Sequence, residues 1–365
     1  MLNVGIIGTG FGQKIHLPAI QEHPDTQAIA LWSHELDKVQ TLAQQHAIPH
    51  ASDRLAELLA LPDLDAVMIS TPPFLHYEMA KAALAAGKHV FLEKPVTLNV
   101  TEAQELYHLA QQSGLVAIAD FEFRFVPAWQ QLAHLLKAGA VGSTRLIKID
   151  WLVPGRADPE RAWNWYARQD QGGGILGAVG SHVFDYIHWL FGDVQSLCAQ
   201  LSCAIADRPD PKDGGKRKPV DAPDVAQLLL QLADGTPVQI SLSSATYEGR
   251  GHWLEVYGEL GTLVLGSDNL KDYVHGFKLW HAPAGQSLSE VMIPAHLDFP
   301  KVYPDGRLAP VLRVVDHWVN CIQRGTTAAP SLREGVLSQL LMDLTVQSQR
   351  DRQWVQVPSY DQIVR

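Results

Sequence analysis

The feature that most restricts this chain is a strand that ends in glycines and turns straight into a helix. Leu2–Ile7 is a short apolar run, long enough for a buried strand and too short for a helix. It is followed by Gly8-Thr9-Gly10-Phe11-Gly12-Gln13 and then by a helix expected over Lys14–Gln21. A G-x-G-x-x-G turn in this place lets main-chain N–H groups and the helix N-terminus meet a pyrophosphate. Gly8 and Gly10 fit that pattern, but the third glycine position holds Gln13, with Gly12 one residue early. Such turns also serve tight packing alone. Placement at the opening of a βαβ unit is what makes Gly8, Thr9, Gly10, Phe11 and Gly12 candidates for dinucleotide contact.

The strand texture repeats at Ala28–Trp32, Ala66–Ser70, His89–Leu92 and Val116–Ala119. Between these runs, Leu55–Leu59, Tyr77–Ala86 and Thr101–Gln112 carry apolar residues at helical spacing, and Gly87 and Gly114 stand where helix C-caps belong. Alternation of this kind implies right-handed crossovers and an N-terminal doubly wound parallel sheet of the Rossmann type, over residues 1–121. From about residue 122 helices thin out and strands follow one another, at Thr144–Val153, Val194–Cys203, Val225–Leu232, Thr236–Ser244 and His252–Tyr257. Ala233-Asp234-Gly235 reads as a hairpin loop, so residues 122–365 are expected to form an α+β domain with a mostly antiparallel open sheet. Val311–Arg324 and Leu332–Leu344 read as helices, free to pack back on the first domain. Asp207–Asp224, with four prolines, Gly214-Gly215 and Lys216-Arg217-Lys218, reads as a solvated loop.

Composition removes other classes. A length of 365 residues favours two domains, and 46% hydrophobic residues exclude disorder. A formal charge of −10 argues against nucleic acid or an acidic membrane as partner. No apolar run reaches the ~18 residues of a membrane span. The first residues lack a basic, long-apolar leader, and three scattered cysteines (Cys198, Cys203, Cys321) make no disulfide framework, so a soluble cytoplasmic protein is expected. Phosphate-loop, zinc-helix and nucleophile-elbow motifs are absent from the sequence. No metal is expected, because His182 and Asp185 lack a third ligand at recognisable spacing.

At the tip of the second strand, about 20 residues after the glycine turn, a carboxylate would hold a ribose 2′-hydroxyl. The sequence has Trp32-Ser33-His34 there, with Glu35 and Asp37 later. A serine followed by a side chain able to carry positive charge suits a 2′-phosphate, so NADP(H) is the expected cofactor and NAD(H) the second choice.

Three further segments together resemble the Gfo/Idh/MocA family of NAD(P)-dependent oxidoreductases. Ile69-Ser70-Thr71-Pro72-Pro73-Phe74-Leu75-His76 looks like the family's T-P-x-x-x-H strand end. Ala86-Gly87-Lys88-His89-Val90 with Glu93-Lys94-Pro95 matches its A-G-K-H-V and E-K-P elements, the most specific signal in the chain. Gly172-Gly173-Gly174 through His182 and Asp185 resembles G-G-G-x-L-x-D-x-G-x-H-x-x-D. Arg124-Phe125 with Pro127, and Tyr257-Gly258 through Gly261-Thr262-Leu263, extend the likeness to about residues 2–265.

The resemblance implies a substrate cleft between the two domains, sugar-like or polyol substrates, and an open sheet that serves a homodimer or homotetramer. It puts Thr71, Pro72, His76 and Glu93 by the cofactor, and Lys94 and His182 at the reacting carbon. There histidine suits acid/base work in both directions, and lysine suits stabilisation of a developing alkoxide. Arg124 reads as a substrate contact or a structural ion pair. Trp163, Trp165 and Tyr166 read as core by default, or as a stacking surface for a sugar ring. Residue 178, where the family pattern has Asp, is Ala. Asp185, near His182 on a helix, is a partial substitute and a substrate candidate. Ala178 also keeps open a nucleotide-dependent binding or regulatory protein with little turnover.

Overall fold

The computed structural model describes residues 1–270 and 272–364. The chain divides into two compact units, one built from Met1–Glu122, Arg307–Gln339 and the last residues from Ile363, the other from Phe123–Gly306 and Leu340–Gln362.

In the first unit, β1 (Leu2–Ile7), β2 (Thr26–Trp32), β3 (His50–Ser52), β4 (Ala66–Ile69), β5 (His89–Leu92) and β6 (Ala117–Ala119) form one sheet in the order β3-β2-β1-β4-β5-β6. Every pairing is parallel. This is the doubly wound order that places ligands beyond the carboxyl ends of the strands, where β1 and β4 diverge. Central strands are buried on both faces, which is why Val67, Met68 and Ile69 run apolar without alternation. The crossover helices are α1 (Leu17–Glu22), α2 (Leu36–Gln45), α3 (Leu55–Leu59), α4 (His76–Ala85) and α5 (Val100–Ser113). The last is capped at both ends: Asn99 Oδ1 accepts from Glu102 N at 3.0 Å, Glu102 accepts from Leu98 N, and Gly114 closes it in the left-handed region. Helix Leu308–Arg324 belongs to this unit and sets Trp318 edge-on to Phe91 at 5.6 Å.

The second unit holds α6 (Pro127–Lys137), α7 (Ser181–Phe191) and a nine-stranded sheet. Its strands are β7 (Thr144–Leu152), β8 (Val194–Ser202), β11 (Val225–Leu232), β12 (Pro237–Ser243), β13 (Gly251–Gly258), β14 (Gly261–Ser267), β15 (Lys278–Pro283), β16 (Ser289–Glu290) and β17 (Val355–Gln356). All neighbours pair antiparallel except β12 with β7. Along β11, Ala226, Leu228, Leu230 and Leu232 point into the core while Gln227, Leu229 and Gln231 face out, the alternation of a sheet with one covered face.

The expected loop at 207–224 is corrected in part. Asp207–Asp210 (β9) and Lys216–Pro219 (β10) pair as an antiparallel hairpin. Ion pairs Arg217–Asp207 and Lys218–Asp210 link its two strands, supplying partners that composition alone does not reveal. Among the described residues no helix is long and apolar enough to cross a membrane.

Candidate active site

The glycine turn resolves its own irregular spacing. A Cβ at Gly12 would fall 2.5 Å from Ser70 Oγ and 3.1 Å from Ile6 Cγ2, so Gly12, one residue early, provides the close approach of helix to sheet. Gly8 has φ +109° and sits against the Ser70 carbonyl. Nothing lies within 4 Å of an added Cβ at Gly10, so the turn offers bare main chain on its outer side. Those residues fit a dinucleotide pyrophosphate. The following turn, Gly12–His16, is a π turn closed by Leu17 N–H on Gly12 O, a wider coil than the α-helix after it.

At the tip of β2, Ser33 is buried; its Oγ accepts from Glu35 N at 3.3 Å and lies 3.5 Å from Thr9 Oγ1. His34 is exposed beside it. Phe11 lies beneath the Arg307 guanidinium, 5.2 Å from the ring centre. The His76 ring bridges two loops, with Nδ1 2.8 Å from Pro95 O and Nε2 2.8 Å from Thr71 O. Both ring nitrogens are thus engaged by main chain, and His76 holds Thr71-Pro72 to the Lys94-Pro95 turn.

Lys94 is half-buried just past β5, close enough to Glu93, which the sequence had singled out, and to Glu122, which it had not, to favour the charge on both. His16, fully buried, places Nε2 2.9 Å from Glu93 Oε1 and 3.8 Å from Asp120 Oδ2. Burial pulls the His16 pKa down, but Asp120 and Glu93 outweigh it and lift it to about 9. Glu93 is pulled up by burial yet ends below its usual value, because His16 and Lys94 favour its charge. Asp120 is pushed well up by burial and by the Glu93 charge. Glu122 rises to about 7, through burial and Glu93, against the opposing pull of Lys94. The consistent state is a protonated His16, an ionised Glu93 and a protonated Asp120. One donor atom from each of His16, Glu93 and Asp120 lies within 4.8 Å of the others, which would also suit a divalent ion; a proton on His16 serves the same carboxylates without one. The sequence did carry a signal. Glu93 and Asp120 are each the first residue beyond a buried parallel strand, and His16 interrupts the apolar pair Ile15 and Leu17.

In the second unit His182 lies in the first turn of α7, nine-tenths or more buried, with the Phe123 ring edge-on at 4.9 Å and Trp151 at 6.2 Å. Beneath it, His252 stacks on Trp151 at 3.8 Å and meets the Tyr186 hydroxyl at 3.2 Å; burial drives the His252 pKa well down. Arg124 and Asp185, both candidate substrate contacts, bind each other in a two-pronged ion pair, Nη2–Oδ1 at 2.6 Å and Nε–Oδ2 at 2.9 Å. That is the structural alternative for Arg124, and it commits the Asp185 carboxylate. Ala178 is half-buried in a second π turn, Leu176–Gly180, which leads into α7. Of the three aromatic candidates, Trp163 donates Nε1 to Pro219 O at 3.0 Å and sits under Lys218, Trp165 meets Tyr166 edge-on, and Tyr166 is covered on one face by Arg156.

The comparisons with known proteins agree over almost the whole chain. Residues 2–121 match the oxidoreductase family's NAD-binding Rossmann fold, and residues 133–357 match the same family's C-terminal alpha/beta domain. An uncharacterized oxidoreductase of Synechocystis sp. is 59% identical over 363 residues, covering 100% of this chain and 98% of its own. A levoglucosan dehydrogenase of Pseudarthrobacter phenanthrenivorans is 26% identical over 390 residues, covering 98% of each. A levoglucosan dehydrogenase structure, in complex with NADH and L-sorbose, superposes with TM-score 0.87 at 24% identity, over 99% of this chain and 100% of that one, and shares its fold. Glycine turn, Glu93-Lys94-Pro95 segment and paired domain matches lead to one assignment: the chain is an oxidoreductase of the Gfo/Idh/MocA family.

Proposed function

We propose that this protein moves a hydride between NADP(H) and one carbon of a sugar, polyol or related carbonyl compound. The observation that carries the reading is Lys94, held at the carboxyl end of β5 beside buried Glu93, on the sheet whose first turn presents bare main chain at Gly10. The sugar dehydrogenase among the relatives supports the substrate class. The nicotinamide supplies or accepts the hydride when bound. His182 takes the hydroxyl proton in oxidation and returns it in reduction. Lys94 stabilises the negative charge that develops on the substrate oxygen. The Arg124–Asp185 pair fixes α7, and the Phe123 and Trp151 rings hold the His182 imidazole where the absent carboxylate at 178 would otherwise act. Three unpaired cysteines among the described residues support a reducing compartment, the cytoplasm.

Ser33 and His34 favour the 2′-phosphate, so fluorescence titration is expected to give a Kd for NADPH below that for NADH. Equal values, or tighter NADH, would remove the preference and leave the oxidoreductase reading intact. Substrate-dependent loss of the NADPH signal is expected with some member of a carbonyl-sugar panel. Tight binding without turnover on any of them would favour the regulatory alternative that Ala178 motivates. We propose also that the open sheet face, where Leu229 is 51% exposed, pairs copies of the chain. Light scattering is expected to report a dimer or tetramer; a monomeric mass would refute this.

A further inference from the structure

The parallel strands β7 and β12 end together, Leu152 opposite Ser243, and the chain leaving β7 brings Arg156 and Arg161 to Arg208 of β9. Arg208, 4% exposed, donates Nη1 to Asp158 O and Nη2 to Arg156 O, both at 2.6 Å. Arg161 donates to Gly155 O at 2.8 Å. Arg156 lies over the Tyr166 ring, its Cζ 3.8 Å from the centroid, and its main-chain N–H donates to Ser244 O. Among the described residues none of these three arginines has a carboxylate within ion-pair distance, although most arginines elsewhere in the chain do. Burial, with Arg161 and Arg208 alongside, pulls the Arg156 pKa down to about 10. The nearby Asp224 carboxylate is taken by Ala204 N at 2.6 Å and Ile205 N at 3.2 Å. Ser244 Oγ, buried beside the Tyr166 side chain, has no hydrogen bond of good geometry.

Arg156 is half-buried and Arg161 exposed, so both guanidinium groups are reachable from solvent without a carboxylate of the chain beside them. A guanidinium held over an aromatic ring has its centre fixed, and its planar fork of N–H donors matches two oxygens of a carboxylate or phosphate. The location ties it to the chemistry. Trp151, which flanks His182, is five residues before Arg156 on the same strand exit. Gly180 packs toward Leu242, two residues before Ser244.

We propose that Arg156, assisted by Arg161 and the Tyr166 and Ser244 hydroxyls, is an oxyanion-recognition subsite, and that the substrate is a sugar derivative bearing a carboxylate or phosphate. This rests on the reading of the protein as a sugar oxidoreductase and names its substrate class. It also revises the use of Tyr166: the face covered by Arg156 is closed to a sugar ring, and the residue serves as the platform for the cation.

The test compares matched ligands on the full-length, NADPH-loaded protein: a neutral hexose, the corresponding uronic acid, and the hexose phosphate. Calorimetry reads binding and NADPH absorbance reads turnover. At least one anionic ligand is expected to bind about tenfold or more tighter than the neutral hexose; the uronate and phosphate arms show which oxyanion is preferred. Arg156→Gln is expected to erase that advantage, bringing the anionic ligand's Kd to within about twofold of the neutral hexose's. Arg156→Lys, which keeps charge and loses the fork, is expected to retain part of it. Arg161→Gln serves as a milder second variant should Arg156→Gln fold poorly, and is expected to weaken anion binding a few-fold. A neutral preference, no anion binding, or an anion preference that survives Arg156→Gln and Arg161→Gln would overturn the inference. Turnover of neutral sugars without anion preference overturns only the subsite. Arg156-dependent anion binding with no turnover supports the subsite and overturns the hydride-transfer reading.

Discussion

Replacing His16 by alanine is expected to lower the melting temperature of the first unit by about 10 °C, on the order of 3–5 kcal/mol. Removal of one partner from a buried charge cluster leaves the others uncompensated, and that is the scale of such losses. Here the abandoned charge is Glu93, with the protonated Asp120 beside it, both nine-tenths or more buried. The pH dependence gives a sharper check. In the folded chain the His16 pKa is raised from 6.5 to about 9, so the native state holds the proton more tightly than the unfolded one. The stabilisation is therefore complete below pH 6.5 and lost as pH climbs toward 9, an amount of about 3 kcal/mol at about 1.4 kcal/mol per pH unit. Urea unfolding of the wild-type protein should show this decline, and His16→Gln should show a shallower one over the same interval, because the raised Asp120 and Glu122 carboxyls still lose stability as pH rises. A wild-type stability that rises from pH 6.5 to 9 would show that His16 is not protonated.

Lys94→Met is expected to lower kcat by about 10²–10³-fold with a smaller change in KM, the loss typical of one donor aimed at developing charge. NADPH binding, measured by fluorescence, should persist. A second readout separates this role from a merely structural one. Lys94 opposes the rise of the Glu122 pKa, now about 7, so removing the ammonium lets Glu122 climb and shifts any pH profile that reports it to higher pH. On the proposed reading, His182→Ala should cost turnover on a similar scale. Retention of more than about a third of wild-type kcat by either single variant would remove that residue from the chemistry.

Much of this was legible before any coordinates. The first sheet declares itself because parallel strands buried on both faces must be short apolar runs, as Ala66–Ile69 and His89–Leu92 are. Glu93-Lys94-Pro95 stood out as a contiguous motif. Contiguity is also the limit. The His16–Glu93–Asp120 cluster joins residues from three places in the chain, and nothing local marks Asp120 as a partner of His16. Arg124 reads in the sequence as a substrate contact or a structural ion pair, and only the fold names its partner, Asp185, 61 residues away. The β9–β10 hairpin was hidden because its prolines and lysines imitate a loop, while its strands are linked by the Arg217–Asp207 and Lys218–Asp210 pairs. Composition records the charges and says nothing of which meet.

The two π turns, Gly12–His16 and Leu176–Gly180, stand immediately before or around the two histidines that matter most. Each holds one residue more than an ordinary helical turn would. A π turn winds that extra residue through about the angle an α turn covers without it, so the surplus is taken up as a bulge and the helix beyond keeps its phase. His182, just past the second turn, therefore faces Phe123 whether or not the residue is there. A one-codon deletion in Leu176–Gly180 is absorbed where it falls, whereas in Gly12–His16 the residues that fill the turn, Gly12 against Ser70 and His16 against Glu93, leave no such latitude.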